Sequence, residues 1–471
     1  MNILHISAEC YPIAKVGGLA DVVGALPKYQ TRSGHRATVV MPFYNTKFTK
    51  ANAFKEVKKG SFPFGGKTMG YVLKTPRSIN LGFDLLLVHI PELLFTESVY
   101  TKNDTERFLA FQQAVLYWAS TLKNTPGIVH CHDHHTGLVP FMVSHCGVFS
   151  KLKGTPSVFT VHNAEYQGWF GYEKIDLLPG FDAKNRGLLD WDNCINPLAA
   201  AVKCAWRVTT VSPNYMEELK QRANGLEALV RHETAKCSGI LNGIDPKVWD
   251  PAADAFIPSN FSTKNVVSGK KANKKWLCGH FSLNEKKPLV AFIGRLVGEK
   301  GADLFPRLFE RVLETGEVSL LLLGSGMKDV EEKLEGLKPK FKGSYNAHIG
   351  YDEALSHKMY AGADFLLMPS RVEPCGLNQM YALHYGTVPI VSQVGGLRDT
   401  VVDILDKNGF GITHREVTVP AIAGAIKRAA RFYGQKEMFK KNRSKIMKID
   451  LSWGVSAKEY LNLYQSILKQ P

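Results

Sequence analysis

Several things are missing from this chain of 471 residues, and each absence narrows what it does. None of its eight cysteines, at positions 10, 131, 146, 194, 204, 237, 278 and 375, forms a C-x-x-C pair, so neither a zinc knuckle nor a dithiol redox motif is written here. Scattered in this way they read as the reduced thiols of a cytoplasmic protein. No segment approaches the roughly 18 consecutive apolar residues of a membrane span. The first residues, MNILHISAECYP, enter a strand pattern at once and lack the charged region and cleavage site of a signal peptide. No G-x-S-x-G elbow and no G-x-x-x-x-G-K-[ST] loop occurs, which counts against serine hydrolases and P-loop phosphotransferases. Acidic residues are also few, 43 against 59 Lys and Arg, for a net charge of +16. That balance invites nucleic acid, a membrane surface or a small anionic ligand, and no motif that reads a nucleic-acid groove is present.

What is present has the rhythm of an α/β protein. Short apolar runs alternate with helix-length segments, which predicts βαβ units and parallel sheets. The predicted strands of the first half are Asn2 to Ser7, Ala37 to Met41, Phe83 to Val88, Gly127 to Cys131, Ser157 to Val161 and Arg207 to Val211. A second set runs through Pro288 to Gly294, Val318 to Gly324, Asn346 to Ile349, Phe365 to Pro369 and Val388 to Ser392. The fold expected is therefore two doubly wound parallel-sheet domains, residues 1–245 and 288–450, with 246–287 as the connection between them. The lysines of that connection, Lys264, Lys270, Lys271, Lys274 and Lys275, read as a solvated surface run without function. Residues 451–471 space Trp453, Ala457, Tyr460, Leu461 and Tyr464 as one helical stripe.

One internal echo stands out. Val16-Gly17-Gly18-Leu19-Ala20-Asp21-Val22-Val23 shares six of its eight residues with Val394-Gly395-Gly396-Leu397-Arg398-Asp399-Thr400-Val401. Each copy opens a helix, where glycines permit close backbone approach and first-turn amides favour an anion. The pair reads as one loop type used twice, both copies facing one ligand. Lys15 adds an ammonium beside the first copy. In IGRLVGEKG, Arg295 and Lys300 leave one strand end with charges suited to a diphosphate leaving group. RVEPCGLNQM places Glu373 in a turn before Gly376, Leu377 and Asn378, which start a helix. HCHDHHTGL has alternating imidazoles and a carboxylate, the ingredients of a metal site. No further His or Cys cluster at ligand spacing supports that reading, so it is taken as a strand-end loop whose Asp133 binds sugar hydroxyls, without metal. GSGMKD lacks the third glycine of a dinucleotide fingerprint and reads as a plain βα turn.

In order and spacing, KVGGLADV, HDHHTGL, VHNAEYQG, LNGID, GRLVGEKG, IGYDEALSHKMYAGAD, PSRVEPCGLNQ, GGLRDTV and SWxxxAxxYxxxY resemble the bacterial glycogen synthases and plant starch synthases. The resemblance runs from Met1 to Tyr464. It implies a GT-B architecture, two Rossmann-like domains facing a deep interdomain cleft, with the last helix crossing back to the first domain. It also implies transfer of glucose from ADP-glucose, with UDP-glucose the alternative, to the nonreducing end of glycogen or another α-1,4-glucan. Configuration would be retained, with no cofactor, metal, nucleic acid or membrane involved. Carried over by position, Lys15, Gly17, Gly18, Arg295 and Lys300 would bind the donor diphosphate, and Gly376, Leu377 and Asn378 would give it their amides. Tyr351 would stack on the base. His162 and Asn242 would line the sugar site, and Glu373 would hold the transferred glucose. Glu9, Asp21 and Asp133 would serve the acceptor. Lys15, His162, Arg295, Lys300 and Glu373 form the expected catalytic set. Val16 stands in place of the family's usual Thr, and His134 in place of its Trp, so an indole able to stack on acceptor sugars is absent. Glu299 and Asn378 replace residues that are commonly Gln and Thr or Cys. A glucan phosphorylase, an inert sugar-nucleotide binder and a polyanion binder are the competing readings.

Overall fold

The computed structural model describes residues 1–469, which divide into two compact units. The first comprises Met1–Asn242 together with the chain from Trp453 onward, and the second Gly243–Ser452. The α/β reading holds in both.

The first unit is built on a nine-stranded sheet. Its strands are β1 (Asn2–Ile6), β2 (Arg36–Pro42), β3 (Phe54–Phe64), β4 (Lys67–Pro76), β5 (Asp84–His89), β6 (Ile128–His132), β7 (Ser157–Val161), β10 (Arg207–Thr210) and β11 (Cys237–Gly239), and β8 (Asp190–Trp191) pairs separately with β9 (Cys194–Ile195). The spatial order is β11-β10-β7-β6-β1-β2-β5-β4-β3. Pairing is parallel from β11 through β5, and the central strands β1, β2, β6 and β7 are almost wholly buried on both faces. The antiparallel β3–β4 edge has no counterpart among the predicted strands. Its residues are largely polar and exposed, so no apolar run marks it. The signal it does carry is Gly65-Gly66 between the two strands, with φ of +56° and +74°, the conformation a tight hairpin turn requires.

Helix Trp453–Leu468 closes this unit. Trp453, Ala457, Tyr460, Leu461 and Tyr464 pack with Val22 and Leu26 of helix Gly18–Arg32 and with Ile3, Ile128 and Val158 of the sheet.

The second unit carries a six-stranded, all-parallel sheet in the order β14-β13-β12-β15-β16-β17. These are β12 (Leu289–Ile293), β13 (Ser319–Gly324), β14 (Tyr345–Ile349), β15 (Phe365–Met368), β16 (Val388–Ser392) and β17 (Ile412–His414). Residues 246–287 belong to this unit. Ile257, Phe261, Val266, Leu277, Cys278 and Leu283 join its core, and helix Val266–His280 supplies much of that packing. The lysine run within it is not a solvated segment as a whole, and the helical period is the reason. Lys264, Lys271 and Lys275 face solvent, while Lys270 and Lys274, one turn apart, are buried. Lys270 Nζ donates to the Tyr360 carbonyl at 2.9 Å and to the Thr387 hydroxyl. Lys274 Nζ reaches Asp364 Oδ2 at 2.6 Å, and Arg443 Nη2 takes the other oxygen at 2.5 Å.

Candidate functional site

In the first unit the polar residues gather at the carboxyl ends of β1, β6 and β7. Glu9, just beyond β1, is 2% exposed and ties the glycine loop in place. Its Oε2 accepts the amides of Val16 and Gly17 at 2.5 and 3.0 Å, and its Oε1 accepts the Tyr100 hydroxyl at 2.5 Å. Both carboxylate oxygens are thus engaged, and Tyr100 is a site residue that no motif announced. Burial, with the Glu9 charge adding to it, pushes the Tyr100 hydroxyl well above its usual range. Lys15 is half-exposed and pairs with Asp21 Oδ1 at 2.7 Å, so Asp21 serves the lysine of the glycine loop. Around Gly17 and Gly18 the space is open; a Cβ at either would meet nothing within 4 Å.

Asp133 follows β6 with φ of +57° and accepts the His162 amide at 2.7 Å, which couples the ends of β6 and β7. Burial raises its carboxyl to about 7, against the opposing pull of the His162 and Asn163 amides. His162 is buried, and burial lowers its imidazole to about 3. The ring of His134 lies against Gly168 and its neighbour His135, and burial lowers its imidazole to about 4. A pocket of about 100 Å³ beside this loop is lined by His134, His135, Asp104, Phe108, Gln112 and the exposed Trp169. Asn242, the last residue of this part of the unit, is buried with no partner for its Oδ1 among the described residues.

His5, His130 and His132 bring ring nitrogens within 4.8 Å of one another, the nearest thing to a metal cluster among the described residues. Every nitrogen of the three rings already has a hydrogen-bond partner in Gln30, Tyr464, Thr160, His162 or a sister histidine. A cation there would displace those bonds.

In the second unit Lys300 Nζ lies 2.6 Å from Glu373 Oε2, and Ser370 Oγ donates to the same oxygen at 3.0 Å. Arg371 fastens the two loops together: its guanidinium reaches Asp303 at 2.6 and 2.8 Å, and its amide donates to the Glu299 carbonyl at 2.7 Å. Arg295 is 70% exposed along its side chain and makes a loose 3.7 Å approach to Glu299. Asn378 Nδ2 donates to the Ile293 carbonyl at 2.8 Å, fixing helix Asn378–His384 over the end of β12. Among the described residues, the amides of Gly376, Leu377 and Asn378 at the start of that helix donate no hydrogen bond. Tyr351 is 87% exposed beyond β14, before helix Glu353–Gly362.

The glycine echo does not survive as one loop type. Gly395 has φ of +40°, and a Cβ on it would lie 2.1 Å from the Glu373 carbonyl oxygen; one on Gly396 would lie 2.1 Å from that of Cys375. The second copy is therefore a buried seat for the Glu373 turn, with the Gly396 amide donating to the Glu373 carbonyl at 3.1 Å, while the first copy stands open. Shared residues conceal this difference because it lies in what packs against them. The GSGMKD glycines likewise serve packing: a Cβ at Gly324 would meet the Gly294 carbonyl at 2.0 Å.

Comparison with known proteins follows the same division. Residues 2–232 match the family described as the starch synthase catalytic domain, and residues 279–445 match glycosyl transferases group 1. The glycogen synthase of Flavobacterium johnsoniae is 49% identical over 473 residues, covering 100% of both chains, and that of Streptococcus agalactiae is 35% identical, covering 99% of this chain and 100% of its own. The catalytic domain of starch synthase IV from Arabidopsis thaliana, solved bound to ADP and acarbose, superposes with a TM-score of 0.89 at 32% identity, covering 100% of this chain and 99% of its own. Sucrose-phosphate synthase from Thermosynechococcus elongatus, 18% identical with a TM-score of 0.64 over 100% of this chain and 99% of its own, shares the fold.

Two parallel-sheet units of this kind define a glycosyltransferase of the GT-B class, here a hexosyltransferase. The chain belongs to the glycogen synthase and starch synthase family, the enzymes of glycogen and starch synthesis.

Proposed function

We propose that the protein transfers glucose from ADP-glucose to the nonreducing end of an α-1,4-glucan, with retention of configuration and without a metal ion. The observation that carries this reading is the second unit's arrangement of Lys300 against Glu373 beside the unused amides of Gly376, Leu377 and Asn378. One carboxylate able to accept sugar hydroxyls and one cluster of cation and amides able to hold a diphosphate are what a nucleotide-sugar donor needs. The ADP and acarbose bound to the related starch synthase IV support an adenine nucleotide and a glucan as the two substrates.

In this mechanism Arg295 and Lys300, with Lys15 from the first unit, bind the diphosphate and stabilise the charge it gains as the bond from glucose C1 to the phosphate oxygen breaks. Tyr351 stacks on the adenine. Glu373, oriented by Lys300 and Ser370, accepts hydroxyls of the transferred glucose, and His162 and Asn242 line its pocket. The acceptor O4 attacks C1 on the face the diphosphate leaves, and its proton passes to the departing phosphate oxygen. Glu9 holds the glycine loop, Asp21 positions Lys15, and Gly17 and Gly18 leave room for the phosphates. Asp133 faces the acceptor. Cationic side chains thus supply the charge that a divalent ion supplies in other transferases.

The test is nucleotide release from ADP-glucose and UDP-glucose in parallel, with glycogen as acceptor and EDTA present. Faster, glycogen-dependent ADP release is expected. Faster UDP release would overturn the donor assignment, and release abolished by EDTA the metal-free mechanism.

A further inference from the structure

Three buried imidazoles in the first unit, His5, His130 and His132, go unused by the chemistry above, and their bonding with His162 forms a directed chain. Gln30 lies on helix Gly18–Arg32, whereas Tyr464 lies on the C-terminal helix. Tyr464 OH stands 2.6 Å from His130 Nδ1 and 3.3 Å from Gln30 Nε2. The short contact suits a phenol O–H donating to the imidazole, and the long one suits an amide N–H donating to the phenol oxygen. Gln30 Oε1 is then the acceptor for His5 Nε2–H at 2.8 Å. Each neutral imidazole carries one proton, so the direction propagates. His5 Nδ1 accepts from His132 Nε2–H at 3.1 Å, and His132 Nδ1 accepts from His162 Nε2–H at 3.1 Å. His162 Nδ1 is left with a lone pair and no partner among the described residues.

We infer that Gln30, His5 and His132 are positioning residues that lock His162 in its Nε2–H tautomer, so that it presents Nδ1 as a hydrogen-bond acceptor to a hydroxyl of the bound sugar. The use of that lone pair rests on the sugar-site assignment of His162 proposed above; the tautomer itself does not. Burial keeps the chain neutral: it lowers His5 to about 4 and His132 well below the usual histidine range. A neutral chain transmits orientation where a charged one would not. His162 can therefore accept a hydrogen bond from a hydroxyl but cannot donate one from the nitrogen it exposes.

The first measurement is long-range 1H–15N correlation on the full chain labelled at its histidine rings, without substrate, with His162→Ala used for assignment. Nε2–H tautomers for His5, His132 and His162 are expected; an Nδ1–H tautomer at His162 overturns the inference whether or not the protein turns over ADP-glucose. The second is a pair of variants at Gln30. Gln30→Leu removes the acceptor for His5 and is expected to give mixed tautomers at His162 with kcat down about tenfold and the donor KM nearly unchanged, the scale of one lost hydrogen bond. Gln30→Glu keeps an acceptor for His5 and is expected to restore kcat to within about threefold of wild type. A merely structural role predicts the reverse order, because a buried charge is worse for packing than leucine. Glu no better than Leu would overturn the positioning role, and an inactive wild type would overturn the transferase reading while the spectra still decide the tautomer.

Discussion

Lys300 and Glu373 are 73 residues apart in sequence and 2.6 Å apart in space, each drawn from the end of a different strand of one sheet. The ammonium neutralises a carboxylate that the turn would otherwise bury alone, and the carboxylate holds the ammonium at the strand ends. Lys300→Met is therefore expected to lower both kcat and stability, the latter by roughly 1–3 kcal/mol as a charged hydrogen bond is lost with its acceptor left behind. Thermal unfolding and initial rates on the same preparation check it.

Lys15 makes the opposite case. It is half-exposed, pairs with Asp21 and lies 5.7 Å from the centre of the Tyr11 ring, so Lys15→Ala should leave the melting temperature within about 2 °C of wild type, the scale of a surface ion pair. Under the proposed mechanism kcat falls on the order of 10²-fold. Turnover within about threefold of wild type would remove Lys15 from the chemistry.

The two glycine pairs should respond differently. Gly18→Ala meets no atom within 4 Å and should fold as wild type, so any loss of activity reports on a ligand. Gly395→Ala drives a methyl to 2.1 Å from the Glu373 carbonyl and is expected to destabilise the second unit by several kcal/mol, as overpacking against rigid backbone does. Comparing the two melting curves checks this.

Stability should fall steeply in mild acid. His5 and His134 are lowered to about 4 and His162 to about 3, so below the unfolded-state value of 6.5 the unfolded chain binds more protons than the folded one. Each contributes stability that is present above pH 6.5 and is lost as the pH falls toward its folded value. Asp133 works against them: raised to about 7, it binds a proton in the folded state that the unfolded chain has lost, and its contribution fades as pH rises from about 4 to 7. Asp133→Asn should therefore gain stability relative to wild type as the pH rises through that window, in urea titrations at fixed pH.

Most of the parallel strands were legible because both of their faces are buried, which writes them as unbroken apolar runs such as SLLLLG, whereas β11 and β17, three residues each, carry too short a run to be seen. Order along the chain also exposed Lys300 and Glu373, but not that they touch. Lys270 and Lys274 misled because a lysine run reads as solvent, whereas the helical period turns every fourth residue inward. The histidine chain was out of reach: His5 and His132 are 127 residues apart, and only the β1–β6 pairing makes them neighbours.

The first unit takes its final helix from the far end of the polypeptide. During synthesis, residues 453–467 leave the ribosome only after the whole second sheet has emerged. Until then Ile3, Val22, Leu26, Ile128 and Val158 lack the apolar cover that Trp453, Tyr460 and Tyr464 provide, and His130 lacks its phenol. The domain translated first is thus the last to be finished, and a chain cut short near residue 450 would leave the second sheet whole and the first one open.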